Sequence, residues 1–248
     1  MQRLRWRDRN VGASWLRLLW WEFTRLVFIF IMAVAWRLRW WGGEHVPQQG
    51  GVLMVCNHQS YLDLLALGVA IPRRHFHGMA RTGLFKNAFF SKLIRSYNAF
   101  PVDASKGDMR AMRTAIERLK QGQLVLIFPE GSRSPDGHVH PFAKGIEVVI
   151  RRAKPTVVPA AIEGLYDILP PHRKWPSRGR AAVAFGKPID AETLLSADQP
   201  VPALLQHRVE QLRLELREKL RHNTQGRFPQ AGPADHTLPS SQSSDPLP

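Results

Sequence analysis

Two short runs of unbroken apolar residues, GVLMVC at 51–56 and QLVLIF at 123–128, limit what this chain can become. A run of about four to eight such residues, closed by turn-forming ones, reads as a strand buried on both faces. Between and beyond these runs the pattern changes to helical periods. Met109, Met112, Ile116 and Leu119 recur at three- and four-residue steps, which predicts an amphipathic helix over 108–120 stopped near Gly122. Residues 64–70 (LLALGVA) and 142–152 read as two more helices, and 156–162 and 180–185 as further strands. A last amphipathic helix over 203–221 carries Leu205, Val209, Leu212, Leu216 and Leu220 on one packing face. Strands alternating with helices predict an α/β fold: a mixed, largely parallel central sheet flanked by helices. In such sheets the strand-to-helix connections gather at one edge, where sites are built.

The ends of the chain have a different texture. Residues 15–41 read WLRLLWWEFTRLVFIFIMAVAWRLRWW, and seven of the eight tryptophans, Trp6, Trp15, Trp20, Trp21, Trp36, Trp40 and Trp41, lie before residue 42. The uninterrupted apolar stretch, Leu26 to Trp36, falls short of the roughly 20 residues of a perpendicular membrane span. Extending it upstream brings in Arg17, Glu22 and Arg25, and arginines flank both sides. No small-residue cleavage site follows at the distance a secretory signal needs. This pattern predicts a membrane-associating helical segment over 1–42 that lies in one leaflet with its tryptophans at headgroup level. A tilted single span, or a helix pair that only packs on the rest of the chain, remains open. A single compact domain over 43–222 would follow, and then a tail over 223–248, whose Pro, Ser, Gly and Gln content reads as disordered.

Thirty-five Lys and Arg against 20 Asp and Glu give a formal charge of +15, which favours polyanionic partners without specifying a fold. Anionic membrane lipids fit better than nucleic acid, because the arginines cluster beside tryptophan-rich apolar segments and not on a polar recognition helix. The single cysteine, Cys56, excludes an internal disulfide framework, suits a reducing compartment and reads as a core thiol. There is no Gly-rich dinucleotide fingerprint and no phosphate-loop lysine motif. His138 and His140, in GHVHPF, lack ligand-spaced Cys or acidic partners and read as a solvated loop with no metal.

The candidate chemistry starts at His58 and Asp63, in NHQSYLD. Spacing alone says little, since chance supplies such a pair in roughly every second chain of this length. Position says more: His58 falls where an apolar strand ends and Asp63 in the first turn of the next helix. A turn between them lets the carboxylate fold back onto the imidazole, fix its tautomer and leave the other nitrogen to accept a proton from a hydroxyl. Asp63 acting only as a helix cap is the plainer alternative. A second constellation, FPEGSRS at 128–134, leaves the other apolar strand for a polar loop. Pro129 and Gly131 shape a turn there, and backbone N–H groups near Gly131, with Ser132 and Arg133, suit an anion.

Together these blocks resemble the glycerolipid acyltransferase family, the group that contains the 1-acylglycerol-3-phosphate acyltransferases. NHQSYLD matches its first block, FPEGSRS its more specific third, and VVPAAIEG (157–164) is similar to its fourth, so the likeness covers about 50–186. The resemblance implies that His58 deprotonates an acceptor hydroxyl, that Asp63 orients it, and that Glu130, Gly131, Ser132 and Arg133 bind a glycerol phosphate. Arg81 stands near the position of a family lysine by the acceptor, and Lys144 adds positive charge. The implied co-substrates are acyl-CoA or acyl-carrier protein and a lyso-lipid, with no further cofactor, at the cytoplasmic face of the inner membrane. One departure bears on the acceptor: the second block usually ends in Asp-Arg, whereas Ala104 follows Asp103 here and only Lys106 or Arg81 stands near. A non-catalytic lipid-binding protein of the same fold is the main rival.

Overall fold

The computed structural model describes residues 14–71, 74–102 and 109–236. In chain order the elements are α1 (Trp15–Trp36), β1 (Arg39–Trp41), β2 (Val52–Cys56), α2 (Asp63–Ala70), β3 (Phe76–Arg81), α3 (Ala88–Ser96) and β4 (Phe100–Val102). They continue with α4 (Met109–Lys120), β5 (Leu124–Ile127), α5 (Gly145–Ala153), β6 (Thr156–Glu163), α6 (Leu165–Ile168), β7 (Ala182–Phe185), β8 (Ile189–Asp190), α7 (Ala191–Leu195) and α8 (Val201–Asn223). The sheet order is β1-β7-β6-β2-β5-β3-β4, with β8 beside β6. β6, β2, β5, β3 and β4 run parallel; β7 turns antiparallel to β6, and β1 follows β7. The sheet is therefore mixed and largely parallel.

The two apolar runs are its centre. β2 has no exposed residue because β5 and β6 flank it and helices cover both faces. Side chains alternate as the pleat demands. Leu53, Val55, Val125, Ile127, Val157 and Ala161 face α4, α5 and α8, while Met54, Cys56, Leu124, Leu126, Val158 and Ile162 face α1, α2 and α6. Removing one such side chain (Leu53→Ala) costs about 2–5 kcal/mol in a packed core.

Residues 15–36 form one helix, capped by Ser14 and ended by Arg37 in the left-handed region, so the helix-pair alternative falls away. Leu18, Trp21, Thr24 and Met32 are buried against the domain. Trp21 stacks on His75 and donates through Nε1 to Ser96 O, and Arg25 donates to Val69 O. The other face of α1 is bare. Trp15, Leu16, Leu19, Trp20, Phe23, Leu26, Val27, Phe30, Ile31 and Val34 are all exposed, a continuous stripe on a helix long and apolar enough to cross a bilayer by length and composition.

Two sequence boundaries need correction. Residues 39–41, placed with the membrane segment, are an edge strand that pairs residue for residue with 182–184. Residues 224–236, which composition marks as the start of a disordered tail, fold back on α8 because charged groups inside the domain need them: Arg217 donates to Asp235 Oδ1 (2.6 Å) and Gln230 O (2.7 Å), and Arg213 to Ala234 O (2.8 Å). Residues 237–248 lie outside the described residues.

Candidate active site

β2 and β5 are neighbours, so their C-terminal ends deliver NHQS and FPEGSRS side by side at one edge of the sheet. Asn57 is fully buried and uses its amide as a peptide unit: Nδ2 donates to Ile162 O (2.9 Å) and Oδ1 accepts from Ile162 N–H (2.8 Å). The strand pairing thus continues one residue past β2 before the chain turns. Asp63, the first residue of α2, is also fully buried and folds back over that turn. Its Oδ2 accepts from the backbone N–H of Gln59 (2.6 Å) and Ser60 (2.9 Å) and lies 2.7 Å from His58 Nδ1. A carboxylate so placed makes Nδ1 the protonated nitrogen and leaves the lone pair on Nε2. The His58 ring stacks on Phe128, 4.1 Å between centroids, and its side chain is 22% exposed. No described residue bonds Nε2, which is left for a group from outside the chain.

The two loops hold each other in register. His58 N–H donates to Glu130 Oε1 (2.8 Å), and Ser134 N–H donates to His58 O (2.6 Å). Glu130 Oε2 accepts from His140 N–H (3.2 Å). Burial pushes the Glu130 carboxyl up to about 8, although the two backbone donors pull the other way. Glu130 is thus a brace between loops, and makes no ion pair with Arg133. Arg133 instead lies flat on Tyr61, with its guanidinium carbon 3.4 Å from the ring centre. Among the described residues its Nη1 is buried without a hydrogen-bond partner. Gly131 (φ +73°) donates its N–H to Phe128 O (3.1 Å) to close the turn. That donor is consequently unavailable to an anion, and the nest expected at Gly131 is narrowed to Ser132 and Arg133. Both Gly131 and Ser132 are exposed at the mouth.

Arg81 ends β3 on the same edge, paired with Val102; its side chain lies outside the described residues, as do Asp103, Ala104 and Lys106. The GHVHPF stretch is not a solvated loop. His138 is buried, and His140 Nε2 pairs with Asp136 (2.8 Å), an acidic neighbour too close in sequence to register as a ligand-spaced partner.

The model of the family described as acyltransferase matches residues 37–163, from β1 to the end of β6, and so takes in both loops. The chain belongs to the acyltransferase family. Among curated relatives, the 1-acyl-sn-glycerol-3-phosphate acyltransferase of Bacillus subtilis is 31% identical over 134 residues, 54% of this chain and 66% of that one. The enzyme of the same name from Streptococcus pneumoniae is 28% identical over 167 residues, 66% of this chain and 60% of that one. The chain therefore spans less than two thirds of the length of these relatives. The crystal structure of the 1-acyl-sn-glycerophosphate (LPA) acyltransferase of Thermotoga maritima superposes with a TM-score of 0.71 at 26% identity, over 81% of this chain and 80% of that one.

A support that links the first and fourth blocks to α8 was missed by sequence reasoning. Gln59 Nε2 donates to Gly137 O (3.0 Å) and reaches Glu163 Oε2 (3.4 Å) at the end of β6. Glu163 in turn receives Arg213 (3.1 Å) and Arg217 (2.6 Å) from α8; Arg213 is also held by Glu210 through two 2.7 Å bonds, and Arg217 by Asp235. All of these except Asp235 are buried. The only signal was the spacing of Glu210, Arg213 and Arg217, which puts three charges on one face beside the leucines.

Proposed function

We propose that this protein moves a fatty acyl group from an acyl thioester, acyl-CoA or acyl-carrier protein, to the free hydroxyl of 1-acylglycerol-3-phosphate, and does so at the cytoplasmic face of the cell membrane. One observation carries the reading: a histidine whose Nδ1 is fixed by a buried aspartate, whose Nε2 is bonded by no described residue, and whose loop is bolted to one that presents a guanidinium.

Nε2 of His58 accepts the acceptor's hydroxyl proton as its oxygen attacks the thioester carbonyl carbon. The imidazolium formed is stabilised by Asp63, which stays ionised, as in a hydrolase triad whose nucleophile is here the substrate's own hydroxyl. Collapse of the tetrahedral intermediate breaks the C–S bond, and the proton on Nε2 passes to the departing thiolate. Arg133, preorganised on Tyr61, takes the acceptor phosphate with Ser132, and Arg81 adds charge from β3. Glu130 and Gly131 act through loop shape: the first ties His58 to the phosphate loop, the second turns the chain so that Ser132 and Arg133 project outward. The bare stripe of α1 would sit among acyl chains, bringing the site to where lyso-lipids are dissolved.

The test is transfer of labelled acyl-CoA to a panel of lyso-lipids and glycerol-3-phosphate. His58→Ala should lower turnover by roughly 10²–10⁴-fold, the range for a lost general base. Turnover within a few-fold of the parent would sink the mechanism, and a preference for acceptors without phosphate would sink the acceptor assignment.

A further inference from the structure

The eighth tryptophan, Trp175, stands far in sequence from the other seven, yet the fold ties its segment to one of them, Trp36. It lies in the segment 170–180 (PPHRKWPSRGR), between α6 and β7, and is 81% exposed. An indole that bare in water is costly, since full burial of a large apolar side chain is worth about 1.5–3 kcal/mol. His172, Arg173, Lys174 and Arg178 are exposed around it.

The segment's root is firmly built. Ser177 donates its N–H to Ile168 O (2.8 Å) and its Oγ to Asp167 O (2.8 Å). Gly164 (φ +85°) lets the chain pass so close that an added Cβ would stand 2.0 Å from Arg180 O. Trp36, at the end of α1, donates Nε1 to Ser177 O (3.0 Å), and its carbonyl accepts from Ala181 N–H. So the C-terminal end of α1 and the Trp175 segment are bonded to each other.

The register fixes where this happens. Glu163, the last residue of β6, pairs with Ala182, the first of β7, and Ala182 pairs with Arg39, the first of β1. β6 runs parallel to β2, so this is the sheet edge from which His58 emerges. Ser60 Oγ also donates to Leu169 O (2.8 Å), tying the His58 loop to the foot of the Trp175 segment.

We propose that residues 172–178 are a second membrane contact, in which Trp175 inserts at headgroup level and Arg173, Lys174 and Arg178 take the phosphates of anionic lipids. The chemistry is that of an interfacial anchor, an amphipathic ring flanked by cations. With α1 it gives two points of attachment, and both border the edge that carries His58. The proposal rests on the reading of α1 as membrane-associated, and the experiment separates the two.

Trp175→Cys, labelled with an environment-sensitive fluorophore, gives a local probe, because Cys56 is fully buried and does not react in the folded protein. Phosphatidylcholine vesicles are compared with vesicles that also contain phosphatidylglycerol. Blue-shifted emission on the anionic vesicles is expected. Removing the three charges (Arg173→Ala, Lys174→Ala, Arg178→Ala) should weaken co-sedimentation of the full chain with those vesicles about a hundredfold, near fivefold per charge. If the unlabelled protein co-sediments while the probe reports water, the second contact is overturned and the role of α1 stands. If the unlabelled protein binds neither vesicle, both fall. An equal shift on neutral vesicles, or a shift with an oligonucleotide alone, overturns the assignment to anionic lipid.

Discussion

The His58 edge and the outer face of α1 treat their side chains in opposite ways. At the edge the side chains that shape the loops are tied down inside the protein: Asn57 to Ile162, Asp63 to three donors, Glu130 to two backbone N–H groups. Along α1 ten large apolar residues are exposed. The first region is finished by folding, and the second only by another solvent. The contrast separates what the chain needs to be stable from what it needs to meet its substrate.

Substitutions can break that contrast from either side. The largest effect belongs to Asp63→Asn, which keeps volume but cannot stabilise an imidazolium; turnover should fall by about 10²–10⁴-fold with the folded state retained, read by steady-state kinetics beside circular dichroism. Arg217→Met leaves Glu163 with Arg213 as its one remaining arginine and Asp235 with Arg221. Denaturant titration should show a loss of about 3–5 kcal/mol, as for a broken buried pair, together with lowered activity. Phe23→Ser with Phe30→Ser acts in reverse. It should leave the melting temperature unchanged or raised, and weaken vesicle binding about a hundredfold or more, at about 1.5 kcal/mol or more per ring. A lowered melting temperature would mean that the stripe packs on protein.

Two smaller effects sharpen the comparison within the site. Tyr61→Ala removes the surface on which Arg133 lies. It should raise KM for a phosphate-bearing acceptor about threefold with little change in kcat, and Tyr61→Phe should restore it, because a cation–π contact is worth about 0.5–1 kcal/mol at an exposed position. Glu130 has a pH signature. Its carboxyl keeps a proton up to about 8 in the folded state, whereas the unfolded chain releases it near 4.5. The folded protein therefore binds more protons between these values, and stability declines as pH rises through that window. Glu130→Gln should flatten the slope in parallel thermal melts from acid to mild alkali.

Much of this was legible from the residues. Continuous apolar runs specify β2, β5 and β6 because a strand covered on both faces has no polar option, and leucine and methionine periods specify α4 and α8. The edge strands were not legible: β1 is RWW, mostly exposed, and β4 is FPV, with a proline that only an edge position tolerates. β3 carries His77 and Gly78 inside it, which dilutes its pattern. At the site, motif identity pointed to His58, Asp63 and the 128–134 loop. The restraints on them are largely backbone bonds, which no residue letter encodes. The Glu163 cluster was hidden because charges on a helix face read as solvated until the fold shows what lies against them.

That cluster also sets an order in time. Chains are made from the N-terminus, and of the described elements α1, with its bare apolar stripe, emerges before the others. Asp235, which completes the bracing of Arg217 and through it of Glu163 and Gln59, is among the last described residues to leave the ribosome. A nascent chain could thus reach a membrane long before it could catalyse anything. By the same reasoning, a stop codon after α8, far in sequence from His58, would take Asp235 away from Arg217 while leaving the apolar stripe of α1 intact.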